Sequence, residues 1–190
     1  MTVNANELLI AGGGKVSVAP VGTAAPADTA VALAAAYKDV GYTTEDGVQF
    51  TDQPTTEEIR AWQSYYAVRR ITTAREGSIA FTMQQMDKTT MALYFGGGTF
   101  TQVTAGNFKY DPPVSGDAVY ERACIIEFRD GASRIWRIVT PKVSLRESTE
   151  ITFNKGQNAQ LAVTLSIIGS DSGVAFYMLT NDVAADPAAA

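Results

Sequence analysis

Residues 40–98 read VGYTTEDGVQFTDQPTTEEIRAWQSYYAVRRITTAREGSIAFTMQQMDKTTMALYFGGG, and the order of patterns along this stretch decides the architecture. It opens on strand-like residues, crosses a polar interval carrying acids, arginines and Trp62, and returns to strict alternation over Ser78–Gln85. There Ile79, Phe81 and Met83 fall on one face and Ala80, Thr82 and Gln84 on the other, which predicts a half-buried strand. Asp87 is placed to cap a helix over Lys88–Phe95, and Gly96–Gly98 stops it. The interval 41–76 reads as a long inter-strand loop, since a polar excursion of this length in a compact domain is usually functional or disordered. Inside it, Glu45-Asp46-Gly47 reads as the tip of a small hairpin between Val40–Thr44 and Val48–Thr51. Gln53–Trp62 is able to cap one helical turn, and Tyr65–Thr73 is extended. Trp62 is a residue type usually buried, and with Tyr65, Tyr66, Arg60, Arg69 and Arg70 it belongs to the types that dominate binding surfaces.

The flanks continue a β pattern. Lys15–Val21 alternates and reads as a first strand, and Ala30–Tyr37 has helical propensity but is too short to be stable alone. Thr99–Thr104 is a strand, followed by a turn at Ala105-Gly106-Asn107. Val119–Arg129, Arg134–Leu145 and Gln160–Ile168 are three long strands, the first two joined at Asp130-Gly131. Tyr120, Cys124, Ile126 and Phe128 share one face of the first, with Glu121, Glu127 and Arg129 on the other. Pro141 marks an edge or a bulge in the second, and Ala175–Leu179 is a last short apolar piece. Many strands with one short helix suggest an antiparallel sandwich or barrel. The organisation expected is an N-terminal arm over 1–14, one β domain over 15–180 containing the connector loop 41–76, and a polar tail over 181–190, mobile unless docked.

The composition bounds the function. Hydrophobic residues make up 46 % of 190, enough for a core, whereas charged residues are 18 %, below the ordinary value of about 25 %. Such a deficit fits a protein that hides surface in contacts with copies of itself. A net charge of −5 excludes wrapping of nucleic acid, which rests on cations. The start, MTVNANELLI, has no basic n-region or long apolar core, so no signal peptide is expected there. The most apolar stretch, Ala30–Tyr37, is too short to span a bilayer.

Catalytic readings fall away one by one. The chain has no histidine and a single cysteine, Cys124, in an apolar strand pattern, which removes the commonest general base and thiolate metal sites. Gly12-Gly13-Gly14-Lys15 lacks the Gly at position 9 and the Ser or Thr at 16 that a phosphate loop requires, where Leu9 and Val16 stand. Glu57 and Glu58 are adjacent and diverge, and Glu121 and Glu127 lie roughly 20 Å apart along one strand, too far for paired acid–base work. No metal or cofactor is expected. In the excursion, Arg60, Arg69, Arg70 and Arg75 alternate with Asp46, Asp52, Glu57, Glu58 and Glu76. Such mixing suits complementary contacts between copies, one edge meeting the opposite charge on the next.

Val40-Gly41-Tyr42, Glu45-Asp46-Gly47-Val48, Ile59-Arg60-Ala61-Trp62, Val68-Arg69 and Leu93-Tyr94-Phe95-Gly96 together resemble the major tail tube proteins of long-tailed bacteriophages, particularly those infecting actinobacteria. The resemblance is strongest over 40–98. It implies a tail-tube-like β-sandwich with a flanking helix, six copies forming a ring, and rings stacking into a tube that conducts DNA during ejection into the host. It also implies assembly in the host cytoplasm into the virion, no membrane insertion, and tape-measure, tail-terminator and tail-tip proteins as partners. The long loop of the family, which reaches the neighbouring ring, maps onto 41–76. Asp46, Glu57, Glu58, Arg60, Trp62, Arg69, Arg70 and Arg75 are therefore the expected interface residues. Asp117, Glu121 and Glu127 are the expected lumen-facing acids, which would repel DNA phosphate. Two other readings remain open at this point: the inner tube of a contractile injection machine, and a capsid-decorating or adhesive β-sandwich that does not stack.

Overall fold

A computed structural model describes residues 7–114, 119–156, 158–171 and 173–186. The strands are β1 (Gly13–Pro20), β2 (Lys38–Asp39), β3 (Thr43–Arg60), β4 (Ala67–Met83), β5 (Thr99–Thr104), β6 (Asn107–Asp111), β7 (Glu121–Asp130), β8 (Arg134–Ser148), β9 (Leu161–Ile167) and β10 (Tyr177–Thr180), with one helix, α1 (Lys88–Tyr94). The main sheet runs β2-β1-β7-β8-β9-β4-β3, every pair antiparallel, and β5-β6 forms a separate hairpin. The architecture is mainly β and of the sandwich type, as the alternation implied.

β8 is the corner that makes a sandwich from this sheet. Its first half pairs with β10 on the edge opposite β7, and its second half pairs there with β9. Between them the β7–β8 register shifts, with Pro141 and Lys142 set against the single residue Ala123. Proline lacks the N–H that a ladder needs, so the bulge expected at Pro141 forms there. The layers on either side close over one core. Val16, Val18, Cys124 and Ile126 meet Ile79, Phe81, Met83, Leu161, Val163 and Leu165, all nearly or fully buried. α1 covers one end of this core with Leu93 and Tyr94, and the Tyr94 hydroxyl donates to the Thr149 carbonyl. Its start is fixed by Asp87, whose carboxylate accepts from the N–H of Thr89 and Thr90 while the Thr90 hydroxyl accepts from the Asp87 N–H. Its end is fixed by Gly96, Gly97 and Gly98, all at positive φ, a region glycine enters freely.

Three expectations are corrected. The interval 41–76 is not a loop: β3 and β4 pair from Thr43–Met83 to Arg60–Ala67 as one long hairpin. Glu45-Asp46-Gly47 is accordingly no hairpin tip but a bulge within β3, where the register shifts between Thr43 and Val48 and Gly47 takes φ +68°. Gln53–Arg60 is strand, not a capped turn. Ala30–Tyr37 makes no helix either. Arg137 holds the chain here instead: its guanidinium donates to Val31 O at 2.7 Å and, just before the segment, to Asp28 O at 2.8 Å, while Ala34 O accepts from the Tyr37 N–H. The segment lies as a flap on the outer face of the sheet, with Tyr37 and the half-buried Leu33 over Ala123, Ile125 and Val139. The tail docks at its start, where Asn181 accepts from the Ile135 N–H and donates to the Ser133 carbonyl.

Candidate functional site

The hairpin projects because its neighbour stops. β9 pairs with β4 from Met83 to Gly77, and beyond Gly77 the ribbon has β3 and β4 alone among the described residues. From Asp52 to Arg60 it extends roughly 27 Å, exposed on both faces apart from the half-buried Asp52 and Ile71. A free-standing two-stranded ribbon has little burial to stabilise it. Its polar links are on the surface: Arg75 to Asp52 at 3.3 Å, and Glu58 held between Arg70 at 2.7 Å and Arg60 at 3.2 Å. Hydrogen bonds first from Arg70 and then from Arg60 lower the pKa of the Glu58 carboxyl. Pro54 lies on β3, the edge strand, where a missing N–H is tolerated.

The ribbon ends in three aromatic side chains in open solvent. Trp62 is 99 % exposed, Tyr65 101 % and Tyr66 85 %. Trp62, expected as a buried type, is the opposite in the single chain. The structure therefore brings Glu57, Glu58, Arg60, Trp62, Arg69, Arg70 and Arg75 onto one arm. It leaves Asp46 apart, at the bulge near the sandwich.

The three expected lumen acids separate. Asp117 lies outside the described residues. Glu121 is half-exposed and paired with Lys142 at 2.9 Å, and hydrogen bonding to Glu121 raises the Lys142 pKa. Glu127 is no surface acid at all: it is 2 % exposed and ion-paired with Arg137 at 2.7 Å, Arg129 at 2.9 Å and Lys15 at 3.6 Å. The outer face on which alternation put it is covered, which the sequence pattern did not anticipate. Burial opposes its ionisation, but hydrogen bonds from Arg129 and Arg137 and the charge of Lys15 outweigh burial and hold the carboxyl below its ordinary value. The residue missed was Arg137. Its signal was present as a lone cation inside the apolar run Ile135-Trp136-Arg137-Ile138-Val139.

Among the described residues no group of three or more His, Cys, Asp or Glu side chains is placed to hold a metal. Cys124 is fully buried, and burial pushes its thiol up to about 12, so it is no nucleophile. No helix among the described residues is long and apolar enough to cross a membrane. Fold and site together define a β-sandwich that presents a long, solvent-exposed arm.

The chain belongs to the phage tail tube protein family, whose model matches residues 1–190. It is thus a structural protein of the tail-tube type. Among solved structures it is similar to a chain of "Virion of native gene transfer agent (GTA) particle", at 9 % identity, covering 95 % of this chain and 100 % of that one, with a TM-score of 0.43. No curated protein matches the chain.

Proposed function

We propose that this chain is the repeating subunit of a phage tail tube, in which six copies close each ring and rings stack through the β3–β4 arm. The observation that carries this is the arm itself: a ribbon roughly 27 Å long with a solvent-exposed aromatic tip. Burying such a tip on a neighbour is favourable, and a contact between unlike surfaces repeats without closing, giving a filament. Within a ring, the two ends of the sheet supply edges. Among the described residues β3 has no outer neighbour, and β2 covers only Ser17 and Val18 of β1. Strand addition between copies would satisfy both. Six copies at −5 each carry about −30, which suits a bore that DNA slides through unbound. Glu121 is the described acid available for that wall. Tape-measure, terminator and tip proteins would meet the two ends of such a tube.

The test is microscopy of the purified full chain at rising concentration, beside a variant in which residues 53–75 are replaced by a short turn. Tubes of constant width from the full chain and only folded monomers or single rings from the variant are expected. Full-length tubes from the shortened variant overturn the arm as the stacking element.

A further inference from the structure

We propose that the outward face of β3, β4 and β9 lines the bore of the tube and that the flap, Ala30–Tyr37, lies on the outside. This rests on the ring-and-stack reading above and names the surface that DNA passes. Pairing across the sheet sets the face out row by row. Thr51, Ser78, Ser166, Ser144 and Glu121 stand side by side across five strands, and Gln49, Ala80, Thr164 and Glu147 form the next row. Thr82 and Ala162 begin a third. All are half-buried or exposed, while Ile79, Phe81, Met83, Leu161, Val163 and Leu165 alternate with them and point into the core.

The side chains of this face are short. On β3, β4 and β9 these rows hold no charge and no apolar residue larger than alanine. Subunit contacts concentrate aromatics, methionine and arginine, so rows without them suit a wet wall and not an interface. The charges at the margin are acidic in balance. Glu121 and Glu147 end two rows, and Asp46 borders a shallow depression that also holds Thr82 and Thr164. Against these stand Lys142, held by Glu121 at 2.9 Å, and Arg146, the extra residue of the β8 bulge. DNA is held by cations that displace its counterions. Along these rows it meets hydroxyls, amides and acids, which do not hold phosphate.

The arm fixes how the face stands in the tube. β3 and β4 run on beyond Asp52 and Gly77 into the arm, so in stacked rings these strands run toward the next ring, along the axis. Ring contacts through sheet edges then set the plane of the sheet along the wall. One outer face of the sandwich meets the bore and the other meets the outside. The second face belongs to β1, β7 and the first half of β8, and the flap covers it with Tyr37 and Leu33 over Ala123, Ile125 and Val139. Beside the flap, the side chains of Lys15 and Arg129 are partly in solvent over the buried Glu127. That side offers phosphate two cations beside an irregular cover, and phosphate would be arrested there. The bare face therefore takes the bore.

Thiol labelling of assembled tubes tests this, because the native Cys124 is buried. Full-length Thr164→Cys, in the middle of the face, and Ala32→Cys, on the exposed part of the flap, are each assembled. Each is treated with N-ethylmaleimide or with maleimide-activated albumin, a reagent too bulky to travel along the bore. In tubes, Thr164→Cys is expected to react with N-ethylmaleimide at close to its monomer rate and with the albumin reagent at least about tenfold more slowly than the monomer does, since thiol reaction follows access. Ala32→Cys is expected to react with both reagents at its monomer rates. Gln49→Cys, on the same face, repeats the test where Thr164→Cys does not fold. Albumin labelling of Thr164→Cys tubes at the monomer rate puts the face outside, and protection from both reagents puts it in a subunit contact. Either result, or selective shielding of Ala32→Cys from albumin, overturns the assignment while stacking stands. A wild-type chain that forms no tubes overturns the stacking reading and this one with it.

Discussion

Arg137→Met removes the staple that holds the flap to the sheet, and its cost follows from the contacts. Arg137 and Glu127 are 5 % and 2 % exposed and meet at 2.7 Å. Breaking a buried pair by deleting one partner costs about 3–5 kcal/mol. The lower end applies here, because Glu127 keeps Arg129 and Lys15, whose side chains are partly in solvent. Two bonds to the Asp28 and Val31 carbonyls are lost as well, adding about 0.5–1.5 kcal/mol each where water does not replace them. The expected total is about 4 kcal/mol, or a midpoint lowered by about 8–16 °C in a chain of this size. Glu127→Gln is expected to act differently. It leaves the backbone bonds of Arg137 in place, so it destabilises the sheet without releasing the flap. A double-mutant cycle should return a coupling of about 1.5–3 kcal/mol. The assays are urea titration at concentrations below assembly and amide exchange over residues 28–37. Arg137→Met should expose those amides and Glu127→Gln should not. A loss below about 1 kcal/mol with residues 28–37 still protected refutes the staple.

Acid should weaken the fold through the same carboxylate. Its folded pKa is depressed, so the stabilisation is complete above the unfolded value of about 4.3 and is lost as pH falls through the folded value; Glu127→Gln should flatten the acid limb of a stability profile measured by urea titration. Gly98→Ala should cost about 2 kcal/mol by thermal melting, because Gly98 sits at φ +94° and an added Cβ would lie 2.7 Å from the Asp111 carbonyl. Leu93→Ala, at a side chain 2 % exposed where α1 meets the core, should cost about 2–5 kcal/mol in the same assay. Arg69→Glu with Arg70→Glu should shorten tubes by microscopy and leave the melting midpoint unchanged; tubes of normal length would remove these residues from the interface.

What was legible in the sequence follows from where burial acts. Ile79, Phe81 and Met83 alternate because one side of β4 faces the core there, and Leu161, Val163 and Leu165 do so on β9. Asp87, Gly96–Gly98, Pro141 and Asp130-Gly131 were readable because each solves a backbone problem locally, as a cap, a stop, a bulge or a turn. The flap was not legible. Its Ala-rich run has helix propensity, but the chain is pinned there by Arg137, which binds the Asp28 and Val31 carbonyls from more than a hundred residues away, and no local rule carries that information. Glu127 was placed on the correct side of β7, yet as a surface acid, since alternation reports the side of a strand and not what covers it.

The arm failed to read as strand for a different reason, and that reason bears on function. Period-2 alternation exists only where one face is buried and the other is wet. From Pro54 to Glu58 and from Arg69 to Arg75 both faces are wet in the single chain apart from the half-buried Ile71, so neither pattern nor hydrophobicity distinguishes them from a loop. The backbone ladder, a few surface ion pairs and side-chain hydrogen bonds such as Ser64 with Tyr66 and Thr73 with Thr55 hold the ribbon, and none offsets much conformational entropy. Order in the ribbon must therefore be weakest at the tip and must rise when another surface covers Trp62, Tyr65 and Tyr66. On the proposed stacking, folding of the arm and assembly would be one coupled equilibrium, which would keep free subunits from presenting a rigid docking element until a growing end supplied the second surface. Amide exchange measures this directly: amides of 53–75 should exchange faster than those of 78–83 in the monomer and become protected on assembly. Full protection of 53–75 in the free monomer would show that the ribbon is ordered without its partner, and the coupling would not exist.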